Sequence, residues 1–319
     1  MQVFAGPARY PSIHRPAWLR RMLFAARLRA VRRRLVSGGC GRIILYVWRP
    51  KHLDLLELVD YDAAIYHIVD EYSFSENDPP TTAQEESLLG KVDQVIVHSS
   101  ALLEKKGGIN PHTVMIPNGV NFDWFAEPCP EPEDLAPVGR PRIGYCGYVK
   151  RQLDWALIQA LVARHTEWSW VFAGQVSPHP ELTTILAALE TRPNVHFLGA
   201  KSTQELARYP QHFDVCIMPY NVDGYTKYIF PLKLHEYLAS GSPAVGSSIR
   251  TLLDFERVIT LADGVEEWTR ALENALGPGE NTAEARDTRQ SIARDYDWEI
   301  LAGRVADCIE TTLQRVCKD

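Results

Sequence analysis

One stretch, Tyr225 to Gly246, combines a cation, a carboxylate and a helix start in a spacing that suits an anionic ligand. Pro231 fits the first turn of a helix, where its missing N–H costs nothing, and Gly241 marks the helix end. Lys233 and Glu236 lie three residues apart on one helix face near the N-terminus, where unpaired N–H groups bind anions. The stretch therefore predicts a site for a ligand with phosphate and vicinal hydroxyls, such as a sugar nucleotide.

Apolar strands alternate with helices on both sides of this stretch. Strands are predicted at 142–145, 168–173, 195–198, 215–219 and 244–246. Helices are predicted at 153–165, 181–191, 203–209, 232–240, 265–275, 282–296 and, as a long amphipathic C-terminal helix, 298–317. This alternation favours a parallel, doubly wound sheet.

The first part of the chain follows the same alternation. Its predicted strands are 42–47, 63–69, 94–98 and 113–116, with a further short strand at 2–5 and helices at 51–58, 82–91 and 100–105. Ligands bind at the carboxyl ends of such strands, where this chain carries 48–50 (WRP) and 70–73 (DEYS).

A segment rich in proline and acidic residues, 125–141, is the best boundary in the chain. We therefore predict an α/β protein with two Rossmann-like domains. The first covers 1–125 and is completed by the helix at 298–317, 126–141 is a linker, and the second covers 142–297.

Composition sets limits on the class of protein. The 319 residues are 45% apolar and 23% charged, without an apolar run long enough for a membrane span or a signal peptide. The six cysteines are scattered, which is typical of reduced thiols in a cytoplasmic protein rather than of a disulfide or zinc framework.

Charge is unevenly distributed along the chain. The first 41 residues hold nine arginines and no acidic residue, although the whole chain has a net charge of −6. A helix is predicted at 16–36, with Arg20, Arg27 and Arg34 on one face. Such a helix could lie on an anionic membrane surface, or it could pack its apolar stripe on the domain. Nucleic-acid binding is disfavoured, because no such motif is found and the remaining chain is acidic.

Four stretches resemble retaining, family-4-type glycosyltransferases of the GT-B fold, in particular the teichuronic-acid and exopolysaccharide branch. They are IYHIVDEYSF (65–74), MIPNGVNFDWF (115–125), NVHFLG with FDVCIMPY (194–220) and PLKLHEYLASGSPAV (231–245). The last is similar to the donor-binding motif of the family and is the most specific of the four.

The resemblance implies roles for individual residues on the donor side. Glu236 matches the glutamate that binds the ribose hydroxyls, and the amides around Leu232 and Lys233 match those that bind the diphosphate. The loop with Gly147, Lys150 and Arg151 matches the family's pyrophosphate loop loosely, so a solvated Lys-Arg pair remains an alternative. Gly199 ends the strand beside the base.

On the acceptor side, Asp70 matches a polar residue at the end of a first-domain strand, with Glu71 next to it and His67 earlier in the strand. We predict these three as candidate catalytic residues; a buried, hydrogen-bonded His67 is the alternative. The resemblance implies that the leaving diphosphate takes the acceptor proton while cations stabilise the departing charge. No metal or cofactor is implied, since the nucleotide sugar, linked to UDP or GDP, is the substrate.

Two departures from the family pattern affect these expectations. Tyr228 stands eight residues before Glu236, where many members carry a second acid. The residues before Arg42 are too few for the usual opening strand–helix–strand unit, so we expect a shortened first domain with an exposed sheet edge.

The resulting prediction is a metal-independent, retaining glycosyltransferase acting on a surface polysaccharide or lipid-linked acceptor. It would be cytoplasmic or peripheral at the inner membrane face. An inactive glycosyltransferase-like binding partner and a nucleotide-sugar epimerase of the same architecture are the alternatives.

Overall fold

The computed structural model describes residues 16–72 and 80–317, with the side chains of Ala17 and Arg20 left out. The strand predicted at 2–5 lies outside the described residues. So does the end of the motif at 65–74.

The first half of the chain forms a parallel sheet whose strands lie side by side in chain order. Within the described residues the order is β1-β2-β3-β4, with β1 Ile44–Val47, β2 Ala63–Ile68, β3 Gln94–Val97 and β4 Thr113–Met115. The helices of this half are α1 Ala17–Ser37, α2 Leu55–Leu58, α3 Ala83–Lys91 and α4 Ser100–Lys106. The central strands β2 and β3 are almost entirely buried, as continuous apolar runs require.

The second half forms a parallel sheet whose strand order reverses in the middle. The order is β10-β9-β8-β5-β6-β7, with β5 Arg142–Cys146, β6 Ser169–Ala173, β7 Val195–Gly199, β8 Val215–Met218, β9 Ala244–Gly246 and β10 Thr260–Leu261. The neighbours β5 and β8 form the point of reversal, and ligands of doubly wound sheets bind beside it.

The remaining helices connect these strands and return to the first sheet. They are α5 Phe122–Ala126, α6 Trp155–Arg164, α7 Pro180–Glu190, α8 Thr203–Leu206, α9 Leu232–Ser240, α10 Arg250–Leu253, α11 Gly264–Ala275, α12 Ala283–Arg294 and α13 Trp298–Val316. The sequence prediction missed α5, α10 and β10, which have five residues or fewer and so show too little periodicity to be recognised.

Apolar packing joins α13 to the first sheet rather than to the second. Leu301 of α13 is buried against Ile65 and Ile96, the central residues of β2 and β3. The guanidinium of Arg304 donates to the Met115 carbonyl at 3.2 Å. The chain therefore ends on the half in which it began.

Hydrogen bonds and one ion pair connect the two halves directly. Ser99 Oγ donates to the Tyr228 carbonyl at 3.0 Å, and Asn118 Nδ2 donates to the Phe230 carbonyl at 3.2 Å. Arg250 of α10 pairs with Glu104 of α4 at 2.5 Å. The two hydrogen bonds hold the loop that precedes α9 against the first half, and the ion pair holds α10 there.

None of the described helices has the length and apolar content needed to cross a bilayer.

Candidate functional site

The helix α9 is the element around which the candidate site is built. It begins after Pro231 and ends at Gly241, whose φ of +77° is left-handed. A Cβ on that glycine would lie 2.3 Å from the side chain of Arg286, so the position requires glycine on two grounds. The amides of Leu232 and Lys233 belong to the first turn, where helix geometry leaves N–H groups without partners.

Side chains of α12 fix the other end of α9. Three of them donate to its terminal carbonyls: Gln290 to Ala239 at 2.9 Å, Arg286 to Ser240 at 3.3 Å and Arg289 to Gly241 at 3.1 Å. Arginines at a helix C-terminus complement its dipole. These contacts fix the C-terminal end of α9 and so also set the position of its N-terminal end.

The ammonium of Lys233 lies directly against the turn that follows β5. Its Nζ is 4.9 Å from the centre of the Tyr145 ring, and a Cβ on Gly147 would come within 2.5 Å of it. Gly147 also has a φ of +118°. Any larger residue at Gly147 would therefore displace the cation and strain the backbone. The structure thus brings together Lys233 and Gly147, two residues predicted separately from the sequence.

Three glycines end three adjacent strands at this edge of the sheet. The Gly147 amide donates to the Ala173 carbonyl at 2.7 Å, and the Gly174 amide donates to the Gly199 carbonyl at 2.9 Å. A Cβ on Gly174 would lie only 2.1 Å from the Gly147 carbonyl oxygen. Sequence reasoning missed Gly174, although it follows the last apolar residue of a buried strand, as Gly147 does.

Tyr237 connects α9 to the same turn. Its buried hydroxyl accepts a hydrogen bond from the Cys146 amide at 2.9 Å, next to Gly147. Burial raises the pKa of Tyr237 well above its ordinary value. The hydroxyl therefore stays neutral and serves as a fixed acceptor for the last backbone N–H of β5.

Glu236 lies one turn into α9 and is half-buried. Burial raises the pKa of its carboxyl group, and nearby Lys233 opposes the shift. The carboxyl group has no hydrogen-bond partner among the described residues. It is therefore a desolvated acceptor that a pair of ligand hydroxyls could satisfy.

Lys150 lies between the two halves of the molecule. Burial lowers the pKa of its half-buried ammonium, the positive charge of Lys233 lowers it further, and Asp70 acts in the opposite direction. Asp70, at the carboxyl end of β2, therefore lies within electrostatic reach of Lys150. Arg151 is exposed. Burial raises the pKa of Tyr225, and the positive charge of Arg151 lies close enough to oppose that rise.

Asp70 lies just beyond β2, at the carboxyl edge of the first sheet. Its side chain is half-buried, and Oδ1 accepts from the Glu71 amide at 2.9 Å. Burial raises the pKa of Tyr225, and the charge of Asp70 contributes to that rise. Asp70 therefore meets the loop that leads into α9.

Glu71 does not share this location, contrary to its selection as a candidate catalytic residue. It is buried, and its Oε1 lies 3.0 Å from Lys106 Nζ. Lys106 also pairs with buried Glu85 at 2.8 Å, and Tyr66 donates to Glu85 at 2.8 Å. Glu71 is therefore part of a buried ionic cluster, whereas the neighbouring Asp70 is half-buried.

His67 lies beside a tyrosine rather than in the open cleft. The Tyr46 hydroxyl and His67 Nδ1 are 2.6 Å apart. Burial lowers the pKa of His67 to about 4, with a contribution from His98, so the ring is neutral at neutral pH. These contacts favour the alternative interpretation of His67 as a hydrogen-bonded structural histidine.

His98 was not selected from the sequence, although it lies near Asp70 at the carboxyl edge of the first sheet. It follows β3 directly, is buried, and its Nδ1 is 3.0 Å from the Ile68 carbonyl. Burial lowers the pKa of His98 and the charge of Asp70 raises it, which places the two within electrostatic reach. A polar residue directly after a buried strand was the available signal.

Residues 140–277 match the family described as glycosyl transferases group 1. A putative teichuronic acid biosynthesis glycosyltransferase, TuaH of Bacillus subtilis (strain 168), is 30% identical over 197 residues, which are 60% of this chain and 48% of that protein. The chain therefore spans about half the length of this curated relative.

Solved structures show the same fold over nearly the whole chain. A sucrose-phosphate synthase from Thermosynechococcus elongatus has a TM-score of 0.70 at 17% identity and covers 96% of this chain and 81% of its own. A glycosyltransferase from Rickettsia africae has a TM-score of 0.68 at 14% identity and covers 97% and 84%. The predicted resemblance and the predicted two-sheet α/β fold of GT-B type are confirmed by these matches.

Proposed function

We propose that the protein transfers a sugar, with retention of configuration, from a nucleotide diphosphate to a surface polysaccharide or lipid-linked acceptor. The observation that carries the proposal is the conjunction of the α9 N-terminus, the Lys233 ammonium and the Gly147 turn in one corner. Such a corner suits a diphosphate, because fixed amides and a cation converge where charge develops as the bond to the sugar breaks.

The donor would be oriented by Glu236 and by the glycine edge. In this proposal the unpartnered carboxylate of Glu236 accepts hydrogen bonds from the ribose hydroxyls. The base lies beside Gly174 and Gly199, where the lack of side chains permits close approach. Either UDP or GDP fits this description.

The acceptor would lie between the donor and Asp70. The leaving diphosphate takes the acceptor proton, and Lys150 and Lys233 stabilise the charge that develops on it. Asp70 positions the acceptor hydroxyl, and no covalent intermediate on the protein is required. The acceptor class follows the name of the B. subtilis relative, a teichuronic acid biosynthesis glycosyltransferase.

We also propose that α1 attaches the protein to the inner membrane face. Phe24, Leu28, Val31 and Leu35 are half-buried, so this stripe is already in use within the molecule. Trp18 and Met22 are 67% and 52% exposed and lie one turn apart, and Arg27 and Arg34 are exposed. Exposed arginines suit the surface of an anionic bilayer, and an exposed tryptophan suits its interface.

Vesicle flotation tests this attachment. An Arg20/Arg27/Arg34→Ala triple variant should float less with phosphatidylglycerol vesicles than the wild type, while neither protein floats with neutral phosphatidylcholine vesicles. Equal flotation of both proteins would refute the attachment.

Donor binding tests the main proposal. UDP or GDP should raise the melting temperature, since a ligand at 100 times its Kd stabilises the native state by about 2.7 kcal/mol. Glu236→Ala should abolish most of that rise, whereas Glu273→Ala, on the exposed side of α11, should preserve it. If both variants keep the full rise in melting temperature, Glu236 is not part of the donor site.

Activity separates the proposed transferase from an inactive binding partner. Incubation with UDP- and GDP-sugars, followed by detection of free nucleotide and of sugar on an acceptor, should show turnover that requires Lys233. Binding of a nucleotide with neither hydrolysis nor transfer would instead support a binding partner. Conversion of one donor sugar into its epimer, without transfer, would support an epimerase.

A further inference from the structure

An exposed tryptophan stands at the acceptor edge of the first sheet. Trp48 directly follows β1, and its side chain is 58% exposed. The parallel register pairs Val47 with Tyr66, which brings Trp48 level with His67 on the adjacent strand, about 4.8 Å away between backbones. This position lies at the same sheet edge as Asp70, two residues beyond β2.

Other side chains hold this tryptophan and the following arginine in place. The Tyr72 hydroxyl donates to the Trp48 carbonyl at 2.7 Å, and the Arg49 guanidinium lies 5.2 Å above the Tyr72 ring. The rings of Tyr46 and Trp48 meet edge to face at 6.1 Å. Trp48 and Arg49 are therefore preorganised, unlike two long side chains on an unconstrained loop.

Arg49 is available to a ligand. Apart from the Tyr72 ring, the described residues offer its guanidinium no ion-pair partner, and the side chain is exposed. Lys51 adds a second exposed cation two residues further on. The rim beside Trp48 thus carries positive charge.

The same tyrosine links this rim to the acceptor carboxylate. Burial raises the pKa of Tyr72, while the nearby charges of Arg49 and Asp70 act on it in opposite directions. Both charged groups therefore lie within electrostatic reach of one ring. A sugar that rests on Trp48 would have its neighbour near Asp70.

The chemistry of these groups defines the ligand. An exposed indole offers a flat, apolar surface that suits the C–H face of a pyranose ring. A guanidinium presents a planar fork of donors that matches the two oxygens of a carboxylate or phosphate. A sugar ring that carries an anionic group satisfies both at once, whereas a neutral sugar leaves Arg49 unused.

We propose that Trp48 and Arg49 form an acceptor subsite for an anionic sugar, a pyranose with a carboxylate or phosphate group. The subsite binds the residue next to the reacting one, so it sets acceptor preference and does not take part in the bond change. This inference rests on the proposed transferase function, since it names the acceptor of that same site.

Three matched acceptors test the subsite. They are a disaccharide that ends in a hexuronic acid, its neutral methyl ester, and the same disaccharide with a phosphate in place of the carboxylate. We measure kcat/KM for transfer to each, and direct binding to each by calorimetry with saturating UDP. The variants are Arg49→Gln and Trp48→Ala, with Arg257→Gln and Trp124→Ala as controls on exposed side chains elsewhere.

The wild type should prefer an anionic acceptor over the ester by about tenfold, the effect of one charge-assisted pair. Arg49→Gln should remove that preference and leave the ester within about twofold of the wild type. Trp48→Ala should weaken all three acceptors by a similar factor. Preference for the uronate alone, or for the phosphate alone, identifies which anion is taken.

Equal use of all three acceptors by the wild type would overturn the proposal. So would an Arg49→Gln variant that weakens the ester as much as the anionic sugars, because that pattern indicates a structural role. If UDP and GDP fail to bind at all, the transferase function fails. Sugar binding without nucleotide then still decides whether Trp48 and Arg49 form a subsite.

Discussion

The two sheets differ in how far each resembles a complete nucleotide-binding unit. In the second sheet the strand order reverses between β5 and β8, and α9 starts beside that reversal. In the first, the described strands run β1 to β4 in chain order, without a reversal. The second sheet therefore provides a crevice at its carboxyl edge by topology alone, whereas the first provides a rim.

Charge is used differently in the two halves as well. On the proposed donor side, Lys233 and Glu236 have no ion-pair partner among residues 16–72 and 80–317. On the acceptor side, the charges of Glu71, Glu85 and Lys106 are buried and compensate one another. The second half therefore keeps charged groups where the proposed donor would bind, whereas the first half uses charged groups to hold its own loops in position.

The largest effect that we expect comes from Lys106→Met. Removing this buried cation leaves Glu85 with the Tyr66 hydroxyl alone and Glu71 with Lys105, 3.5 Å away, as its nearest cation, which should lower the free energy of unfolding by about 3–5 kcal/mol. Urea denaturation followed by circular dichroism measures the loss, with exposed Lys91→Met as the control. If the cluster and the proposed nucleotide site are independent, folded Lys106→Met protein should still be stabilised by nucleotide. A free energy of unfolding equal to that of the wild type would refute the stabilising role of the cluster.

Gly147→Ala should have the converse effect. The φ of +118° would strain an alanine by about 1–3 kcal/mol, and its Cβ would push against Lys233 Nζ. We expect at least a tenfold loss of UDP affinity, or about 1.4 kcal/mol, by calorimetry. Gly139→Ala is the control, because a Cβ there meets nothing closer than 3.8 Å. Unchanged affinity would show that Lys233 does not bind the diphosphate.

Tyr237→Phe should sharpen the comparison by testing position rather than charge. The change removes the acceptor of the buried Cys146 amide, at a cost of about 1–3 kcal/mol in stability. The turn at Gly147 should loosen, so nucleotide affinity should fall by several-fold while binding of an acceptor sugar is unaffected. The control is Tyr148→Phe, which changes an exposed tyrosine next to Gly147. Equal nucleotide affinities of the two variants would show that Tyr237 does not position the turn.

The smallest effect, and the one stabilising change, is expected for His235→Phe in α9. His235 is fully buried, neither ring nitrogen has a hydrogen-bond partner in the part of the chain that the structure describes, and the ring stacks on Tyr296 with centres 3.8 Å apart. Phenylalanine keeps the stack and removes the unpaired polar atoms, so unfolding should cost about 1 kcal/mol more at pH 7.

The same variant carries a pH signature. Burial lowers the pKa of His235 to about 3, below its value of about 6.5 in an unfolded chain. As pH falls below 6.5 the unfolded state binds a proton that the native state does not, so the wild type loses up to about 1.4 kcal/mol per pH unit. His235→Phe should lose less between pH 6.5 and 4.5 in urea denaturation. Parallel pH profiles for the two proteins would contradict the assignment.

Much of the fold followed from local patterns. The strands at 63–69, 94–98 and 244–246 and the helix at 232–240 were predicted to within one residue at each end, because buried runs and the Pro231–Gly241 boundaries are strong local signals. The short elements α5, α10 and β10 were missed, since elements of two to five residues carry no measurable period.

The candidate site was predictable in part, and for a physical reason. The anion-binding character of the α9 N-terminus, with Lys233 and Glu236 on one face, is a property of a single helix and can be read from spacing. Which of Asp70 and Glu71 meets the cleft depends on the direction of each side chain and on Lys106, which is 35 residues away from Glu71.

The sequence by itself determined the α/β class, the alternating strands and the donor helix, because these depend on hydrophobic period, proline and glycine within a few residues. The tertiary structure alone decided that Lys233 rests against Gly147, that Gly174 completes the glycine edge, that Glu71 is buried and that Trp48 and Arg49 are held by Tyr72. These facts depend on contacts between residues distant in the chain, and on directions that one-dimensional patterns do not encode.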